Sequence, residues 1–165
     1  MPRVRKLSLR DIRKEDRNEY LKFKEIFSGF ENQISIYSHS TIGMKYLYGM
    51  SYEISKKSTI SKRLIEIAVV AASFQNKCQY CIVHHSSILV DLGLKPDAIS
   101  NITKLGQKGL SEEEVLVRDY ALSVTDKAWK VDESLFVKLK KSFSEAEIVE
   151  LTMRIALTGL FNKVN

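Results

Sequence analysis

Proline is nearly absent from this 165-residue chain, which has two, and glycine is sparse at seven. An all-β sandwich, with a turn every few residues, needs more punctuation than that. Cysteine is also scarce. Cys78 and Cys81, three positions apart, are the whole complement and cannot staple a fold. No run reaches the roughly 18 apolar residues of a transmembrane helix. The longest apolar stretch, Leu64–Phe74, is interrupted by Glu66 and Ser73. The first residues are charged and lack the apolar segment of a signal peptide, so a cytoplasmic protein is expected. Zinc-finger cysteine pairs, an RNP-like motif and arginine–aromatic interleaving are missing, so neither nucleic acid nor a membrane is an expected partner.

What remains is the composition of a globular chain, 44% hydrophobic and 28% charged, with a mean hydropathy of −0.16. The formal charge is +6. Part of the excess is local: Arg3, Arg5, Lys6, Arg10, Arg13, Lys14, Arg17, Lys22 and Lys24 crowd the first residues. This reads as a solvated basic surface, or as an arm able to attract polyanions.

The chain divides into helical blocks. Residues 11–28 become helix-spaced from Tyr20 onward, with Gly29 as a stop. A second block spans about 40–55, and a third, 59–75, is apolar around most of its circumference, as a central buried helix should be. Asn76 is the candidate N-cap of a fourth helix that includes Cys78 and ends near Gly93. Pro96 opens a fifth, expected over 96–106. Ser111-x-x-Glu114 and Ser144-x-x-Glu147 are capping boxes for helices over about 112–127 and up to 162, with a short helix at 132–141 between them. Gln33–Tyr37 is the best strand candidate. The expected fold is all-α, one domain overall, with a basic helical segment at 1–29 before a helical core at 30–165.

The chemistry concentrates in Leu64–Leu89. At about 100° per residue, Cys78, Cys81 and His85 share one face, at roughly 0°, −60° and −20°, while His84 falls near −120°. His85 is therefore placed to reach Cys81, and His84 is not. Cys78, in the first turn, gains from unpaired amides and the helix dipole. A neighbouring imidazole can take the Cys81 proton or stabilise its thiolate. One thiolate can attack a peroxide oxygen or a disulfide sulfur, and the second thiol can resolve the product as a disulfide. Glu66, in the most apolar block, is expected to have a raised pKa suited to proton transfer. Alternatively it lies on an exposed strip or pairs with Arg63. Two other readings of the cysteines stand beside the redox one. Cys78, Cys81 and His85 can be three ligands of a zinc site completed by His39 or Glu66. They can also be small buried hydrophobes.

The order Glu66, Cys78-x-x-Cys81-x-x-x-His85 resembles the alkylhydroperoxidase D (AhpD)-like branch of the carboxymuconolactone decarboxylase superfamily. The lead-in Ser61–Glu66, the segment Tyr37–Ser40 and the stretch Ser144–Leu151 are similar to family elements, over about residues 30–163. The chain departs from the family pattern at Tyr80, where the best-known members have His, at Thr41, where they have Pro, and at Lys163, where they have Arg. The resemblance implies an all-α helical bundle that oligomerises as dimers, trimers or hexamers, with thiol-dependent reduction of organic or hydrogen peroxide. Carried over, Cys81 is the peroxidatic and Cys78 the resolving cysteine, and His85 and Glu66 form a proton relay. A dithiol reductant, lipoyl-bearing or thioredoxin-like, is implied; no cofactor and no metal are expected. His39, Tyr80, Phe74 and Trp129 are candidates for a pocket wall. Two competing functions are a lactone decarboxylase working by proton transfer and a non-enzymatic redox-sensing oligomer.

Overall fold

A computed structural model describes residues 3–106 and 108–165. Helices account for the regular structure, and no strand occurs among the described residues. The chain forms two compact units, residues 1–56 and 57–165.

In the N-terminal unit, α1 (Arg17–Ile26) and α2 (Glu31–Tyr37) pack together. A π-helical turn, Gly43–Leu47, leads into α3 (Tyr48–Lys57). The strand candidate Gln33–Tyr37 is thus helical. Gln33, Ile34, Ser35 and Tyr37 are buried, not every second residue as in a strand, and Tyr48 Oη donates to the Gln33 side-chain carbonyl at 2.8 Å. Phe23, Phe27, Tyr37 and Tyr48 form an aromatic cluster with centroids 5.4–6.2 Å apart.

The second unit is built around α4 (Lys62–Gln75). It packs against α5 (Gln79–Asp91), α7 (Glu112–Lys127) and α9 (Glu145–Val164). Every residue from Leu64 to Ser73 is buried. An all-round apolar helix has no solvent face to keep, so it takes the centre. Between these lie α6 (Pro96–Ser100) and α8 (Glu133–Ser142). The fifth predicted helix is shorter than its expected 96–106: Asn101 closes it, and Gly106 turns the chain at φ 67°. Both capping boxes form with reciprocal bonds, at Ser111/Glu114 and Ser144/Glu147.

The join between α4 and α5 positions the site. Asn76 does not cap the fourth helix, as its side chain suggested; it ends α4. Lys77 follows in the left-handed region at φ 57°, donating to the Phe74 carbonyl at 3.1 Å, and Cys78 N–H reaches back to the Ser73 carbonyl at 3.0 Å. This pair of bonds is a Schellman closure, with lysine where glycine is usual. A left-handed non-glycine residue costs about 1–2 kcal/mol, and glycine's extra freedom when unfolded returns part of that. We expect Lys77→Gly to raise unfolding free energy by about 0.5–1 kcal/mol in a denaturant titration. A loss of stability would show that the Lys77 side chain supports the turn.

Candidate functional site

The Schellman turn delivers Cys78 to the N-cap of α5, in extended backbone at φ −81°, ψ 93°. Cys78 is therefore not inside the helix, as the sequence suggested, but at its mouth, where amides lack partners. Its Sγ accepts the Cys81 N–H at 3.4 Å, and the two sulfurs lie 2.6 Å apart as free thiols. Both side chains are buried, Cys78 at 7% and Cys81 at 3% exposure.

Glu66 comes from the middle of α4. It is buried rather than on an exposed strip, and its Oε2 lies 2.7 Å from His85 Nδ1. Arg63 is occupied elsewhere, on Glu114 and on the Leu92 carbonyl. A carboxylate partner fixes the proton of His85 on Nδ1 and orients Nε2 away from Glu66. The expectation of a raised Glu66 pKa is overturned. Burial does push it up, but the hydrogen bond from His85 and the charges of His85, Arg154 and Lys62 outweigh burial and hold it below the usual carboxylate range.

Two residues of α9 and Asn165, which caps its end, complete the surroundings, and none was picked out from the sequence. Asn165 Nδ2 donates to Cys81 Sγ at 3.2 Å. Asn162 is clamped from both ends: Asn76 Nδ2 donates to its Oδ1 at 2.9 Å, and its Nδ2 donates to Ser73 Oγ at 3.1 Å. Both amides also favour charge on Cys78. Arg154, bonded to Thr158 Oγ1 at 3.3 Å, stands within electrostatic range of Glu66 and Cys81. Burial works against its charge, and those two groups work for it. The available signal was a single arginine within the apolar stretch 148–161, and two asparagines at i and i+3 at its end.

The two thiols are driven apart. Either can donate across the S–S contact, but only Cys78 also accepts a backbone N–H. The direction that stabilises charge therefore leaves the proton on Cys81. The bond from Cys81, its N–H and the two amides bring Cys78 from 9.0 to about 6. The same shared proton, together with burial, pushes Cys81 well above the ordinary thiol range. Because the folded value of Cys78 is depressed, its contribution to stability is complete above pH 9 and fades as pH falls through about 6.

The remaining candidates are placed as follows. His39 belongs to the N-terminal unit, where its Nε2 hydrogen-bonds with the Arg5 carbonyl at 2.8 Å. Tyr80 is half-buried, its ring 4.2 Å from that of His84 at 51°. Trp129 is 83% exposed and lines no interior wall, because it sits on a one-turn 3-10 segment at the surface. Among the described residues, no three His, Cys, Asp or Glu side chains converge as ligands of a metal ion. None of the described helices is long and apolar enough to cross a membrane.

The carboxymuconolactone decarboxylase family profile matches residues 44–106, a span that holds Glu66, Cys78, Cys81 and His85. No curated protein matches the chain. Solved structures share its fold, among them the following three. An alkylhydroperoxidase AhpD core, an uncharacterized peroxidase-related protein from Ralstonia eutropha, superposes with a TM-score of 0.81 at 23% identity, covering 98% of this chain and 86% of that one. An uncharacterized peroxidase-related protein from a Silicibacter species gives 0.81 at 19% identity, with 99% and 89% covered. A protein of unknown function from Agrobacterium tumefaciens, described as a candidate antioxidant defence protein AhpD, gives 0.69 at 23%, with 76% and 87% covered.

The amide of Asn165 makes a test of this geometry. We expect Asn165→Ala to shift the pH midpoint of iodoacetamide alkylation upward by about half to one unit, with an unchanged thermal midpoint. An unshifted midpoint would show that the amide does not stabilise charge on the sulfurs.

Proposed function

We propose that this chain, whose residues 44–106 match the carboxymuconolactone decarboxylase family profile and whose fold is that of AhpD-like proteins, is a dithiol peroxidase. Its substrate class is organic or hydrogen peroxide. The observation that carries this reading is the contact of two buried thiols, one of them at a helix mouth where its sulfur accepts a backbone N–H.

The reaction balances without a resident cofactor. A thiolate sulfur attacks one peroxide oxygen, the O–O bond breaks, and the departing oxygen takes a proton to leave as alcohol or water. The sulfur is now a sulfenic acid. The second sulfur attacks it, an S–S bond forms, and water leaves. The dithiol has lost two electrons and the peroxide has gained them. An external dithiol, lipoyl-bearing or thioredoxin-like, restores both thiols by exchange. The imidazole of His85, held by ionised Glu66, donates and accepts the travelling proton at Nε2. Arg154 offsets the negative charge that this cluster gathers. The cytoplasm, where such donors keep thiols reduced, suits this chemistry. The chain works as a homo-oligomer.

The charge distribution supports Cys78 as first nucleophile and Cys81 as resolving thiol, the reverse of the order that the resemblance implies. At neutral pH a thiol near 6 is mostly ionised, whereas one at 9.0 is about one per cent ionised. We therefore expect Cys81→Ser to lose steady-state turnover with a dithiol donor yet still form a trappable sulfenic acid on Cys78 in a single turnover. Cys78→Ser should slow that first oxidation by about tenfold or more. Fast sulfenic acid formation on Cys81 in Cys78→Ser would return the attack to Cys81. Full turnover in the double serine variant would remove the sulfurs from the reaction and favour the lyase chemistry.

A further inference from the structure

Two hydrogen bonds fix how α9 lies along α4. Thr59 Oγ1 donates to Glu147 Oε1 at 2.8 Å, and Asn162 Nδ2 donates to Ser73 Oγ at 3.1 Å. The paired residues are 88 and 89 positions apart, so the two helices run parallel in a single register. Glu66 lies midway between Thr59 and Ser73 in the sequence, which sets it level with residues 154 and 155. Ile155 takes the core position, at 2% exposure, and Arg154 stands beside it, half-buried.

Arg154, Thr158, Asn162 and the capping Asn165 form one polar strip along α9, within roughly 80° at about 100° per residue. The far end of the strip is at the dithiol, where Asn165 Nδ2 donates to Cys81 Sγ. Side chains on a helix lean toward its N-terminus. Arg154 turns the other way: its Nη1 donates to Thr158 Oγ1 at 3.3 Å, one turn nearer the sulfurs. Thr158 Oγ1 is its one hydrogen-bond partner among the described residues, and Glu66 and Cys81 lie within reach of its charge. Most N–H groups of its planar fork therefore meet no protein acceptor among the described residues, and none of those groups is sealed from solvent.

A cation with spare donors, set back from the nucleophile, suits the oxygen that leaves. In an in-line attack on a hydroperoxide, that oxygen lies about 4–5 Å from the sulfur, the sum of a near-attack contact and one O–O bond. An arginine bonded to the sulfur itself would draw charge from the nucleophile and slow the attack. One set back along the strip meets the charge where it arrives.

We infer that Arg154 is a catalytic residue, its guanidinium donating hydrogen bonds to the departing oxygen of the peroxide. This rests on the peroxidase reading above and adds the group that receives the substrate's charge. With its proton already passed to His85, the Cys78 sulfur gives an electron pair to the terminal oxygen of R–O–OH. The S–O bond forms, the O–O bond breaks, and the electron pair of that bond leaves on the RO oxygen. Arg154 holds this oxygen until the proton on His85 Nε2 reaches it, and ROH departs. The sulfur is oxidised to a sulfenic acid and the peroxide is reduced.

Two electrophiles separate this role from an effect on the sulfur. Cumene hydroperoxide needs its departing oxygen stabilised, whereas iodoacetamide expels iodide, a poor hydrogen-bond acceptor. Each is mixed with the reduced full chain at pH 8, and thiol loss is followed by stopped flow. Arg154→Met should lower the peroxide rate constant by about a hundredfold and change alkylation by less than about twofold. Arg154→Lys should recover about tenfold of that loss, because an ammonium keeps the charge without the fork. Thr158→Val keeps the arginine but removes the acceptor that turns it forward. It should lower the peroxide rate by about tenfold with alkylation unchanged, and it decides the point if Arg154→Met loses helicity. A wild type that is alkylated but not oxidised overturns the peroxidase reading and this inference with it. An oxidised wild type matched in peroxide rate by Arg154→Met overturns the inference alone. An equal fall in both reactions assigns Arg154 to the sulfur and overturns it as well.

Discussion

One backbone reversal sets the character of the dithiol. Because α4 ends in a Schellman closure through Lys77, the next residue arrives at the mouth of α5 rather than inside it, and that residue is Cys78. A cysteine one turn further in would have its neighbouring amides engaged along the helix. At the N-cap, its sulfur instead replaces the oxygen of a capping serine or aspartate. It accepts the Cys81 N–H and brings the second thiol into contact. The left-handed lysine is the strained element of this arrangement, and strain of that kind persists where packing on both sides over-determines it.

The rest of the site answers the consequence, a negative charge in a buried setting. Isolated charge there would be expelled by protonation. Here it is spread over a shared proton, a backbone amide and the side chains of Asn162 and Asn165. Glu66 faces the same problem one helix away, and His85 and Arg154 solve it. The result is two acidic groups kept charged by different means, amides for the sulfur and cations for the carboxylate. Such separation of neighbouring titratable groups is how one protein holds proton donors and acceptors together at one pH.

Much of this was legible in the sequence. The all-helical fold followed from the lack of punctuation and from two capping boxes whose bonds both form. The Glu66–His85 contact was legible because a carboxylate in an apolar helix needs a partner and the break at 76–77 lets the next helix supply one. The Asn76 cap was misread because asparagine serves both ends of helices, and only the φ of Lys77 decides between them. The sign of the Glu66 shift was misread because the charge of Arg154 arrives from 88 residues along the chain and adds to the hydrogen bond from His85. Asn162 and Asn165 were invisible for a similar reason: a polar residue at a helix end carries no signal until its neighbour from another helix is known.

Everything above depends on the two sulfurs ionising unequally. Carbon-13 labelling of the cysteine Cβ atoms, with each resonance assigned by a single serine variant and followed by NMR from pH 4 to 10 in the reduced protein, separates them directly. The account predicts that the Cys78 resonance titrates near pH 6 and that the Cys81 resonance shows no ionisation of its own in that range. A Cys81 resonance that titrates first, or two resonances that move together near pH 9, would contradict it.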